Sequence, residues 1–140
     1  MGAAHHRQAI PCRLDISGTE QQVSCLLLEV ANTPTISNGL RLAPHVSPSS
    51  GELQLVWIEG TGLLSLTADV ASLITGKLEE KENVHERPVQ RLTIHWDGSP
   101  VHIDAEIWPA EHAPDPRGAS SAQLEVLAGA LTIWLPAGLQ

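Results

Sequence analysis

The stretch His102-Ile103-Asp104-Ala105-Glu106-Ile107-Trp108 holds the side chains best suited to chemistry in this 140-residue chain. In a strand, alternate residues share a face. Val101, Ile103, Ala105 and Ile107 would then point one way, and His102, Asp104 and Glu106 the other. The run before it, 89–96, alternates in the same sense. Leu92, Ile94 and Trp96 share its apolar side, and Arg91, Thr93 and His95 its polar side. A hairpin turning at Asp97-Gly98-Ser99-Pro100 would set His95 opposite His102, Thr93 opposite Asp104 and Arg91 opposite Glu106. Three readings suit such a face. One is a solvated sheet surface with cross-strand pairs, in which an Arg91–Glu106 ion pair contributes at most about 1 kcal/mol. The second is a metal site, because His95, His102 and the Glu106 carboxylate have ligand chemistry. The third is general-base catalysis by Asp104, with Glu106 or His102 orienting it. On spacing alone the solvated face leads, and the other two stay open.

Such a face needs a sheet behind it. Residues 10–16 and 22–31 flank Ser17-Gly18-Thr19-Glu20 and form a hairpin that turns at Gly18. A Gly18-Thr19 loop would place Cys12 opposite Cys25 as packed thiols. Residues 32–50 are rich in Pro, Ser and Asn and make a long irregular connection, with a short strand at 40–43. Residues 53–58 are almost continuously apolar, as in a central strand. Residues 61–76 form the one helix. Thr61 caps it, Gly76 ends it, and Leu63, Leu66, Val70, Leu73 and Ile74 make a stripe for core packing. Residues 77–86 are charged and exposed. Residues 123–127 and 130–135 close the chain as a hairpin turning at Ala128-Gly129. About eight strands and one helix make a mainly β fold, a sandwich or a barrel. The domain runs over 10–136, with a frayed start at 1–9 and a tail at 137–140.

Composition narrows the function classes. Apolar residues make up 42%, so the chain is globular. It has no Phe, no Tyr and four Trp, so the core is aliphatic. Eight basic against sixteen acidic residues give a net charge of −8. That argues against nucleic acid as a partner and against simple electrostatic attachment to an anionic membrane surface, and leaves open contact with lipid one molecule at a time. Two cysteines are too few for a disulfide framework. The first ten residues are polar, and no apolar run approaches the roughly 20 residues of a membrane span. A cytoplasmic chain with reduced thiols is expected. No Walker loop, dinucleotide fingerprint or Gly-rich loop opening a helix occurs, so no backbone cradle for a triphosphate is expected.

Three stretches, in order, resemble the C-terminal domain of the diacylglycerol kinase, YegS-like and sphingosine kinase superfamily of lipid kinases. The first is Val30-Ala31-Asn32-Thr33-Pro34, followed by Ile36-Ser37-Asn38-Gly39, Leu42-Ala43-Pro44 and Ser50-Gly51-Glu52-Leu53. It is similar to the family's Val-Ala-Asn strand end, Gly-rich turn, proline and Asp-Gly-x-Leu. The second is 92–106, ending in Ile103-Asp104-Ala105-Glu106 where the family has Asp-Gly-Glu. The third, 124–136, is similar to the family's closing hairpin, which also ends in proline.

The resemblance implies a two-sheet antiparallel β-sandwich that supplies the lipid-binding half of a cleft. It implies that Asp104 is the general base toward a lipid hydroxyl, and that Glu106 lies beside the nucleotide and its magnesium. Asn32, Asn38 and Gly39 would contact the lipid, a diacylglycerol-like or sphingoid molecule. ATP and Mg are implied only together with a nucleotide-binding domain, in cis or in trans, and none for this chain alone. Peripheral contact with a membrane is compatible with that role. The family's Gly-Gly-Asp-Gly-Thr nucleotide motif does not occur in the sequence. Ser50 stands where the family's aspartate helps hold a structural magnesium, and a hydroxyl is a poor substitute there. Ala105 stands where the family has glycine, which strains the backbone if that position needs φ > 0. Two further classes remain: a non-catalytic module binding a lipid or a protein partner, and a small metal-dependent β-barrel enzyme using His95, His102 and Glu106.

Overall fold

The computed structural model describes residues 8–35, 41–60, 82–104, 106–108 and 120–134. Its strands are β1 (Ile10–Ile16), β2 (Thr19–Ala31), β3 (Leu53–Glu59), β4 (Val84–Val89), β5 (Arg91–Trp96), β6 (Val101–Ile103), β7 (Glu106–Trp108) and β8 (Ser120–Glu125). Six of them form one antiparallel sheet in the order β4-β3-β2-β1-β5-β8, and β6 and β7 form a second, two-stranded one. The mainly β, antiparallel expectation is met. No helix occurs among the described residues; the helix expected over 61–76 lies outside them. None of the described helical content is long and apolar enough to cross a membrane, since there is none.

The β1–β2 hairpin turns one residue earlier than expected. Ile16 pairs with Thr19, so the loop is Ser17-Gly18, with φ of 53° and 90°. Two positive φ values suit the right-handed twist of the flanking strands. The Gly18 N–H also donates to Asp15 Oδ1 at 2.8 Å. The earlier turn moves the register by two. Cys12 faces Val23 and Cys25 faces Ile10, so the two thiols are diagonal neighbours instead of opposites.

A bulge then changes which residues of β2 face which core. Cys25 pairs with Glu59, but Leu27 pairs with Ile58, so Leu26 is the extra residue. Val23 and Cys25 lie in the larger core before it. After it, Leu28 and Val30 pack on that same core, while Leu27 and Ala31 join a second one. One inserted residue thus reverses the parity of the strand. β3 feeds both cores. Leu55 and Trp57 enter the larger, with Cys12, Leu14, Leu92, Ile94 and Trp96, so the core expected to be aliphatic also takes in two of the four Trp. Val56 and Ile58 enter the smaller, covered by Leu42, Ala43 and Val46. This is why 53–58 is nearly all apolar: the strand has no solvent face.

Other boundaries differ from expectation. The expected strand at 40–43 reduces to a single bridge between Thr35 and Arg41. The segment holding Leu42 to Val46 is instead a cover over the second core, tied by Ala43 N–H to Pro34 O at 3.3 Å. The charged stretch 77–86 ends in strand, since β4 begins at Val84. β4 is a sheet edge, where Pro88 is tolerated because no ladder donor is needed on the outer side. At the far end, Ala130 N–H donates to Leu127 O at 3.1 Å, and Gly129 has φ 69°, so the turn at Ala128-Gly129 forms. Its second arm does not pair: 131–134 join no strand among the described residues, and Leu131, Ile133 and Trp134 are exposed.

Leu14 is fully buried in the larger core, whereas Leu131 is 84% exposed. Leu14→Ala is expected to lower unfolding stability by about 2–5 kcal/mol in urea titration, and Leu131→Ala by less than ~0.5 kcal/mol.

Candidate functional site

The hairpin expected between 89–96 and 101–108 does not form. β5 lies inside the sheet, with β1 on one side and β8 on the other. Thr93 faces Asp15 and Gln123, and His95 faces Arg13 and Ser121. Arg91 pairs with Glu125, not Glu106; the two side chains meet at 3.0 Å across β5 and β8. Both are exposed, so the pair contributes little. With both edges of β5 occupied, 101–108 must satisfy its own backbone. It folds on itself, pairing Val101 with Trp108, His102 with Ile107 and Ile103 with Glu106.

The chain therefore reverses at Asp104, which has φ 48°. A short polar side chain tolerates this left-handed conformation better than most. Asp104 is thus a turn-tip residue and not a member of a strand face. Asp-Gly is the strong sequence signal for such a turn; Asp-Ala obscured it. Ala105 lies outside the described residues. Asp104 and Glu106 are both exposed. No hydrogen bond or ion pair involves Asp104 among the described residues.

The loop before the hairpin is firmly built. Asp97 Oδ1 accepts from the Ser99 N–H at 2.9 Å and from its hydroxyl at 2.6 Å. The buried Trp96 donates its indole N–H to Ser99 O at 2.8 Å. Trp108 meets Trp96 edge-on, with ring centroids 6.4 Å apart and planes at 62°. His102 lies within electrostatic reach of Glu29 on β2. Burial raises the Glu29 pKa above the usual carboxylate value, and His102 opposes this in part. Asn32 is exposed and directly follows the end of β2, three residues beyond Glu29. Asn38 and Gly39 lie outside the described residues.

The metal reading loses its geometric premise. His95 is on the six-stranded sheet and His102 and Glu106 on the two-stranded one. Among the described residues no group of three or more His, Cys, Asp or Glu could hold a metal ion. Ser50 has work of its own. Its hydroxyl donates to Ser47 O at 2.8 Å and accepts the Glu52 N–H at 3.2 Å, closing a turn whose next residue, Gly51, has φ 74°. An open groove of about 630 Å³ lies between Asp15, Ser17, Gly51, Arg91, Thr93 and Glu125. None of the expected site residues lines it, and its arginine is already neutralised by Glu125.

Sequence reasoning also missed a row across the sheet that runs from two buried thiols to a partly exposed Glu59–His85 pair. The side-chain interaction between the thiols raises the Cys25 pKa, with burial adding to the effect, and lowers that of Cys12, whose thiol donates to Ile10 O at 3.7 Å. Beyond Cys25, Glu59 Oε1 accepts the Trp57 indole N–H at 3.1 Å and lies 3.6 Å from His85 Nε2, whose ring stacks on Trp57. Both thiols are free and buried.

Residues 3–134 match the family described as the YegS C-terminal NAD kinase beta sandwich-like domain. Solved structures from Bacillus anthracis str. Sterne share the fold. One, a provisionally assigned diacylglycerol kinase, superposes with a TM-score of 0.59 at 10% identity, covering 85% of this chain and 37% of that one. A diacylglycerol kinase gives a TM-score of 0.54 at 15% identity, covering 86% of this chain and 41% of that one. The chain therefore spans about two fifths of the length of these structures. No curated protein matches it.

The Glu29 shift has a definite sign. A carboxyl whose pKa is raised on folding binds more protons in the native state, so its contribution to stability falls as pH rises through the carboxylate range. Glu29→Gln removes that dependence. The melting temperature of the variant relative to the parent is expected to rise between pH 4 and pH 7.

Proposed function

Because the chain belongs to the YegS C-terminal NAD kinase beta sandwich-like domain family, we propose that it is the lipid-binding, base-supplying half of an ATP-dependent lipid kinase of the diacylglycerol kinase type. The observation that carries this reading is the placement of Asp104. It stands at the tip of an exposed hairpin, in a turn conformation, where an incoming hydroxyl can reach it. In the proposed reaction Asp104 takes the proton from a lipid hydroxyl as that oxygen attacks the γ-phosphate of ATP. Phosphoryl transfer asks little more of a protein than positioning, a base and charge neutralisation. A chain of net charge −8 is a poor source of the last. The nucleotide and its magnesium would be held by a nucleotide-binding domain, in cis or in trans, with Glu106 beside them. Asn32, Asn38 and Gly39 would line the lipid side. Such a kinase works in the cytoplasm and at the membrane surface, where its substrate resides, and this chain alone would transfer no phosphate.

The non-catalytic module is the second reading, and Ser50 favours it. Its hydroxyl closes its own turn where the resemblance places a magnesium-binding aspartate.

Reconstitution separates the two. The chain is combined with a nucleotide-binding domain of a diacylglycerol kinase, ATP, Mg²⁺ and dispersed diacylglycerol. Asp104→Asn is expected to lower kcat/KM about 10²–10⁴-fold relative to the parent chain. Equal phosphorylation by both would sink the base assignment. Lipid binding without any phosphorylation would favour the module.

A further inference from the structure

The hairpin that carries Asp104 is small. β6 and β7 have three residues each and, among the described residues, pair only with each other. A two-stranded hairpin of that size is marginal on its own. Its outer rungs add little apolar anchorage, because Ile103 and Ile107 are 58% and 57% exposed. Its packing against the domain is at the base rung, Val101 and Trp108, which are cross-strand partners. Val101 packs against the larger core, and Trp108, itself 45% exposed, sets one ring edge against Trp96. Trp96 is a firm seat: it is buried in that core, and Ser99 O holds its indole N–H.

We propose that Trp108 is a positioning residue, whose contact with Trp96 sets the direction in which the hairpin presents Asp104. The idea rests on the kinase reading only for the meaning of Asp104; the mechanical part stands without it. Asp104 lies three residues beyond Val101, a lever of roughly 10 Å at ~3.3 Å per residue. A tilt of about 10° at the base then carries the tip through nearly 2 Å. A misplacement of about 1 Å at a reacting centre can cost on the order of 100-fold in rate. Edge-to-face packing has a preferred geometry, so an aromatic ring here restrains tilt in a way that an aliphatic side chain does not.

Hydrogen exchange on the chain itself tests the mechanical part. Trp108→Ala is expected to speed exchange of the β6 and β7 ladder amides at least ~10-fold, with β1, β2 and β3 unchanged; Trp108→Phe is expected to restore most of the protection. Unchanged exchange in the hairpin would overturn the proposal. Equal acceleration in β1 to β3 would overturn it too, by making Trp108 an ordinary core residue. In the reconstituted kinase, Trp108→Ala is expected to lower kcat about 10–100-fold with the KM for ATP unchanged, and Trp108→Phe to recover it. A loss confined to KM would exclude positioning. If Asp104→Asn has no effect on activity while the exchange result holds, the base assignment fails and the anchoring role of Trp108 remains.

Discussion

β5 uses both of its edges inside the six-stranded sheet, and the placement of the candidate site follows from that. Backbone donors and acceptors must be paired or solvated. Because β1 and β8 take those of β5, the chain that leaves β5 has no edge to join there. It turns through the Asp97–Ser99 hydrogen bonds, drops Val101 onto the larger core and pairs with itself. The reversal lands on Asp104 because only His102 and Ile103 separate the base-rung Val101 from the tip. A polar strand face becomes an exposed point.

The sheet behind β5 is stabilised by residues that serve two cores. β3 is apolar on both sides, and the Leu26 bulge lets β2 keep contact with both clusters over thirteen residues. If β2 kept Leu26 in regular alternation, Leu28 and Val30 would face the smaller core, and Leu27 and Ala31 the larger one. With the bulge, Ala31 packs in the smaller core with Leu42 and Ala43. The bulge therefore sets how the two layers of the domain divide the side chains of one strand.

Much of this was legible beforehand, for identifiable reasons. β3 was readable because a strand buried on both faces leaves a continuous apolar run. The first hairpin was readable from Gly18, but its loop was placed one residue late, since Ser17 at φ 53° carries no compositional signal. The order of motifs led to the family, which matches over residues 3–134. The pairing of β5 was not legible. Alternation in 89–96 and 101–108 suits a hairpin between neighbours as well as two strands in different sheets, and only the long-range partners β1 and β8 decide it. Asp104 was selected by the type and order of its neighbours, but its turn geometry was hidden by alanine at 105. The nearness of Cys12 and Cys25 was legible from the first hairpin, but the extension of that row to Glu59 and His85 was not, because its members come from four strands.

Mounting Asp104 on a separate hairpin also bears on how such a domain can change over generations. The six-stranded sheet and its two cores do not depend on the hairpin tip. Substitutions at Asp104 or Glu106 fall on exposed positions and leave the packed interior alone. What the tip displays and whether the domain folds are therefore nearly independent traits here. A lineage can replace Asp104 or its exposed neighbours and still inherit an intact domain.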